Sequence, residues 1–134
     1  VVAPGPLSVE GIEIEAIDLA GHSPGQVGYL VDGVLFCADV VLPGTVLEKY
    51  RIPYLYSVTD HLAALSTAAA VECVASVPGH GPLLDRAGLI DLVETNRALV
   101  ERVADAVLDL AREPAMVISS SPSAPAVAVT WTVP

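Results

Sequence analysis

Between Val27 and Ala38 two apolar runs, Val27-Gly28-Tyr29-Leu30-Val31 and Val34-Leu35-Phe36-Cys37-Ala38, flank the pair Asp32-Gly33. Asp-Gly between apolar runs signals a two-residue type I′ turn, whose twist suits a β-hairpin and whose length fixes the register. The register sets Val31 opposite Val34, Tyr29 opposite Phe36 and Val27 opposite Ala38. Asp39 then emerges at the open end of the hairpin, opposite Gln26. His22 lies four residues before Gln26, in a stretch that Pro24 and Gly25 bend, so His22 and Asp39 are expected at one sheet edge. A third segment, Pro78-Gly79-His80-Gly81-Pro82, follows a strand candidate at 71–77 and brings His80 towards that edge. Each of the three segments sets one metal-capable side chain beside small residues or proline at the end of a strand-like run. Histidine with a carboxylate suits zinc, iron or manganese.

The rest of the chain reads as α/β. Residues 1–6 form an irregular lead-in. Ile12, Ile14 and Ala16 alternate with Glu13, Glu15 and Ile17, the pattern of a strand with one wet face. Residues 42–57 contain Pro43, Gly44, Pro53 and three tyrosines and read as a long loop. Ser57 is placed to cap a short helix running to about Ala70, with Val58, Leu62 and Leu65 at helical spacing. Asp85 is placed to cap a long helix over 86–112, with Leu89, Val93, Val100, Val103, Val107 and Leu110 as its apolar stripe and Asn96 as an interruption. Residues 113–134 are set apart. They begin with a Ser/Pro-rich stretch, expected to be mobile, and close on an alternating run at 127–133, readable as an added strand or as a disordered end.

The three turns in this order around an Asp-Gly hairpin resemble the metallo-β-lactamase superfamily. That family carries Gly-His-Thr/Ser-Pro-Gly, then a hairpin ending in Gly-Asp, then a late Pro-Gly-His-Gly. The resemblance covers roughly 12–111. It implies that His22 and His80 are metal ligands and that Asp39 bridges two metals as the catalytic carboxylate. It implies a zinc-dependent hydrolase with two ions, iron or manganese being possible, in which a metal-bound hydroxide cleaves an ester, thioester or lactone-type bond of a small molecule. The implied architecture is part of a four-layer αββα sandwich, one β-sheet layer with helices. Two departures are visible. Ala38 stands where the family has glycine. The family's His-x-His-x-Asp-His segment, which supplies further ligands and positions the water, is absent, the histidines being His22, His61 and His80. The chain therefore reads as the C-terminal half of a longer hydrolase, 1–112, inactive alone. Two other readings stay open: a non-catalytic remnant or binding module, and a mononuclear iron oxygenase on the same fold.

Lys49 and Arg51, beside Tyr50 and Tyr54, are candidates to hold a substrate carboxylate or phosphate. The alternative is a solvated pair offsetting Glu48, with tyrosines that line a pocket or merely pack. His61 is expected on a helix surface and Cys37 in the core. Sixteen acidic against six basic residues give a net charge of −10, which argues against nucleic acid and anionic membrane as partners. An apolar content of 53% over 134 residues supplies the core of one modest domain. No apolar run approaches the ~20 residues of a membrane span. Cys37 and Cys73, far apart and without a Cys-x-x-Cys pair, read as free buried thiols of a cytoplasmic protein. The apolar strands imply a sheet face left exposed, through which the chain self-associates.

Overall fold

A computed structural model of the protein describes residues 2–112 and the backbone of two short strands at 115–117 and 127–129. The stretch expected to be mobile and the end of the alternating run lie outside the described residues.

Six strands form one sheet in sequential order: β1 (Gly5–Val9), β2 (Ile12–Asp18), β3 (Val27–Val31), β4 (Val34–Ala38), β5 (Ala75–Pro78) and β6 (Leu84–Asp85). All neighbours are antiparallel except β4 and β5. That one parallel pair requires a crossover, which carries α1 (Gly44–Tyr50) and α2 (Val58–Ala70). A third helix, α3 (Arg86–Arg112), follows β6.

The Asp-Gly hairpin forms as expected. Val31 faces Val34 and Tyr29 faces Phe36, and Asp32 and Gly33 both take positive φ, 48° and 76°. The expected third pair, Val27 with Ala38, does not form. Ala38 has φ of 48°, and the register against β5 shifts between Phe36 and Ala38. This left-handed residue turns the chain out of the ladder just before Asp39. A second hairpin of the same kind, with Glu10 and Gly11 at φ of 52° and 83°, joins β1 to β2. It makes part of the expected lead-in a strand. Pro6 is tolerated there because β1 lies at the edge of the sheet.

Alternation along the strands separates two faces. Leu35 and Cys37 point to one of them, where they join Leu19, Val40, Val41, Ala64, Leu65, Ala68, Leu89 and Val93 in a single buried cluster. Strand β4, helix α2 and the first turns of α3 thus share one core. Val34 and Phe36, which alternate with those residues, face the other side, and Phe36 is 45% exposed.

The helix ends explain the boundaries. The Ser57 hydroxyl accepts from the backbone N–H of Asp60 at 3.3 Å, and the Asp85 carboxylate accepts from that of Gly88 at 2.8 Å; both are N-caps that the sequence marks. At the C-terminus of α2 the Arg86 guanidinium donates to the carbonyls of Ala69 and Val71, adding a positive charge where the helix dipole favours one. The chain leaves α2 in an extended residue, Val71. It regains the sheet at Ala75, four residues later than the start of the expected strand, and the Val74 N–H bonds to the Gly33 carbonyl at 2.8 Å on the way. The stretch read as a long loop contains α1. Pro43 sits at its N-cap in an extended conformation, its carbonyl accepts from Val46 and Leu47, and Arg51 at φ of 59° ends the helix. Proline and glycine here mark a helix start.

The apolar stripe of α3 is buried at Leu89, Val93 and Val100 only, with Asn96 buried among them. Val107 and Leu110 are exposed. Residues 101–134 form a separate compact unit, in which β7 (Ala115–Val117) pairs antiparallel with β8 (Val127–Val129). Among the described residues no helix is long and apolar enough to cross a membrane.

Candidate metal centre

His22, Asp39 and His80 meet at one edge of the sheet. Asp39 lies between the two imidazoles: His22 Nε2 is 3.7 Å from Asp39 Oδ2, and His80 Nε2 is 3.7 Å from Asp39 Oδ1. The three side chains are 25%, 31% and 61% exposed, in the order His22, Asp39, His80.

The small residues of the three turns allow this approach. Gly21, at φ of 143°, lies so close to the backbone of His61 that a Cβ there would overlap it. The Gly21 carbonyl accepts from the N–H groups of Tyr56 and Ser57 at 2.9 and 3.1 Å, which fixes the His22 turn to the start of α2. Gly79 faces Asp39 equally closely: a Cβ would strike the Oδ1 atom. Its N–H bonds to the Ala38 carbonyl at 2.8 Å, joining the His80 turn to the Asp39 turn.

Both Asp39 Oδ1 and His22 Nδ1 are buried without a hydrogen-bond partner. Buried polar atoms are nearly always satisfied; the unpartnered Asp39 Oδ1 carries lone pairs open to a cation or a proton donor, and His22 Nδ1 carries the ring proton if Nε2 serves as the ligand. Two ligands of one tetrahedral zinc, each about 2.0–2.2 Å from the ion, stand about 3.5 Å apart. Each gap between an imidazole nitrogen and a carboxylate oxygen is therefore of the right size for one ion. Among the described residues, no group of three or more His, Cys, Asp or Glu is arranged to hold one ion. The donors form two pairs sharing one carboxylate instead.

A cavity of about 350 Å³ opens beside these residues. Its wall runs from His22, Asp39 and His80 to Leu42, Val46, Leu47, Tyr50, Ile52, Pro53 and Tyr54. The Tyr54 ring packs edge-on against His22, with centroids 5.9 Å apart. Lys49 and Arg51 are absent from the wall, and Lys49 Nζ lies 4.8 Å over the Tyr50 ring.

Three further residues lie behind the site. Asn96 receives a hydrogen bond from the Leu42 N–H at 3.0 Å and donates to the Leu42 carbonyl at 2.9 Å and to that of Leu92 at 2.8 Å. The polar break in the α3 stripe is thus a clamp on the cavity wall. His61, expected on a surface, is 2% exposed. Its pKa is lowered to about 4 by burial and, secondarily, by His22. The reason is the Gly21 turn, which lies on the backbone of His61 and closes that side of α2. Cys37 is buried as expected, donates weakly to the Val77 carbonyl at 3.6 Å, and has its thiol pKa pushed up to about 11, chiefly by burial. It is an inert core residue. Cys37 and Cys73 are both free, Cys73 being half-buried.

No protein-family model matches the sequence, and neither does any curated protein. Solved structures do match. A metallo-beta-lactamase family protein from Thermus thermophilus aligns at a TM-score of 0.66 and 21% identity, over 84% of this chain and 38% of its own. A metallo-beta-lactamase from Pontibacter korlensis aligns at 0.59 and 16%, over 75% and 47%. A flavo di-iron protein from Thermotoga maritima aligns at 0.53 and 20%, over 71% and 30%. The chain has the metallo-β-lactamase fold across most of its length, in keeping with its α/β sheet and three helices. It spans less than half the length of each of these structures.

Proposed function

We propose that the protein is part of a metal-dependent hydrolase of the metallo-β-lactamase superfamily, acting on an ester, thioester or lactone-type bond of a small molecule. The observation that carries this reading is the Asp39 carboxylate between His22 and His80, one imidazole on each oxygen. In this reading His22 and Asp39 would hold one divalent cation, and His80 and Asp39 would hold another. Zinc suits the donors best, and iron or manganese fits the same set. A bound cation supplies Lewis acidity at the carbonyl oxygen and lowers the pKa of water. Asp39 keeps the two positions close together, and Gly79 leaves its carboxylate room. In the reaction the water oxygen bonds to the acyl carbon, the bond from that carbon to the leaving atom breaks, and the leaving group takes up the proton.

From the described residues each cation would receive one imidazole and one carboxylate oxygen, two donors short of the four that zinc normally takes. The same shortfall favours a second reading, a binding module that takes up metal without turnover. The 134-residue chain is accordingly expected to bind zinc without hydrolysing esters or lactones at enzyme-like rates. Calorimetric titration with zinc, read together with the histidine resonances, tests the site. Uptake that moves the His22 and His80 signals and weakens at least tenfold in Asp39→Ala is the expected result, and a flat thermogram refutes the metal reading. Metal-dependent turnover that vanishes in Asp39→Ala would overturn the expectation of inactivity.

A further inference from the structure

The cavity wall beyond the three polar residues is apolar and aromatic. Val46 and Leu47 come from α1, Tyr50 is its last residue, and Ile52 and Tyr54 come from the segment after it. Among the described residues no lysine or arginine lines the cavity, although Lys49 and Arg51 stand in the same stretch of chain. Lys49 is engaged with the Tyr50 ring instead. In the metal-free chain the one carboxylate in the wall, Asp39, would repel an anion.

Ile52 and Tyr54 are 65% and 69% exposed. Large apolar side chains held open beside a polar centre are the composition of a small-molecule site, where apolar walls bury the ligand and a few polar groups orient it. The volume lies at the low end of the ~300–1,000 Å³ usual for such sites, which suits a short or medium aliphatic or aryl group.

We infer that this cavity takes the uncharged, apolar acyl arm of the substrate, with the scissile carbonyl at Asp39 and the arm lying along α1 towards Tyr54. The inference rests on the hydrolase reading for the position of the carbonyl, but the arm's binding does not depend on metal. It also assigns Lys49 and Arg51 no role in holding a substrate carboxylate or phosphate.

The test uses the full 134-residue chain kept metal-free with a chelator. Primary amides from butanamide to octanamide, neutral mimics of the acyl arm, are titrated while the Tyr54 and His22 resonances are followed. Affinity should rise about two- to fourfold per added methylene until the cavity fills. Adipamic acid, which ends in a carboxylate, should bind at least tenfold more weakly than hexanamide. Ile52→Ser, at an exposed position that leaves the core intact, should flatten the series. Equal affinity along the series, tighter binding of the carboxylate, or an unchanged series in Ile52→Ser would each overturn the inference. Zinc titration of the same protein without chelator is read separately. A rising series without zinc uptake removes the metal and keeps the arm, and zinc uptake with a flat series does the reverse.

Discussion

The two faces of the β3–β4 hairpin are built from similar residues and differ in what lies over them. On one face Leu35 and Cys37 are wholly buried beneath Leu65, Ala68, Leu89 and Val93. On the other, the row Tyr29–Phe36 and the neighbouring row Val31–Val34 present aromatic and β-branched side chains that remain half-buried or exposed. Ile12 and Val9, paired at the far end of the sheet, are 52% and 54% exposed. The difference teaches that sequence apolarity alone does not locate the core. Strands β3 and β4 are apolar on both sides, and the helices select the side that carries stability.

The largest expected effect follows directly. Leu35→Ala should lower the unfolding free energy by about 2–5 kcal/mol, through lost burial and the cavity left behind. Phe36→Lys, one residue away on the open face, should change it by less than about 1 kcal/mol. Phe36→Lys should act on association instead. We expect the unaltered chain to self-associate at low micromolar concentration through this face, and the lysine to shift it towards monomer. Urea denaturation and sedimentation velocity separate the two outcomes. Equal destabilisation at positions 35 and 36, or an unaltered chain that is monomeric throughout, would erase the contrast between the faces.

A smaller effect sharpens the covered side. His61 belongs to the buried face of α2, and its pKa falls from 6.5 to about 4 on folding. The unfolded chain therefore binds the extra proton more readily, and stability rises with pH across this window. The contribution is complete above pH 6.5 and is lost progressively as pH falls towards 4, amounting to a few kcal/mol at most. The slope between about pH 6.5 and 5, above most carboxylate titration, should be clear in the wild type and much reduced in His61→Gln. A flat wild-type profile would mean that water reaches this side of α2.

Much of the candidate site's placement was legible because it is local. Asp32-Gly33 sets a turn without tertiary help, and His22, Asp39 and His80 each sit in a turn whose small residues advertise close approach. Ser57 and Asp85 announce helix starts for the same reason. What escaped depends on neighbours distant in sequence. Pro43-Gly44 begins a helix or ends one with equal local ease, and the burial of Leu47 favours the helix. Nothing beside His61 in the sequence reveals that Gly21 will lie on its backbone. The cavity wall is equally invisible, because α1 and the residues after it line it only once Asn96 holds Leu42. Asn96 itself did leave a trace, as the one polar residue in an apolar stripe.

The smallest expected effect lies where β4 leaves the ladder. Ala38 holds φ of 48°, a conformation that disfavours a Cβ by roughly 1–2 kcal/mol. Glycine relieves that strain but adds freedom to the unfolded chain. Ala38→Gly should therefore stabilise by about 0.5–1 kcal/mol, measurable as a higher denaturation midpoint with an unchanged slope. Destabilisation would show that the methyl group is packed rather than strained.

The Asn96 clamp also sets the phase of α3. A helix advances about 100° per residue, so inserting or deleting one residue between Asp85 and Asn96 would swing the amide away from Leu42 by more than a quarter turn. The Leu42 peptide would then lose both its partners at once, while the cap at Asp85 stayed in place. The spacing between cap and clamp is thus a ruler. Point substitutions along the intervening surface of α3 leave it intact, whereas a change in length by a single residue reads out as a displaced wall in the cavity that Leu42 lines.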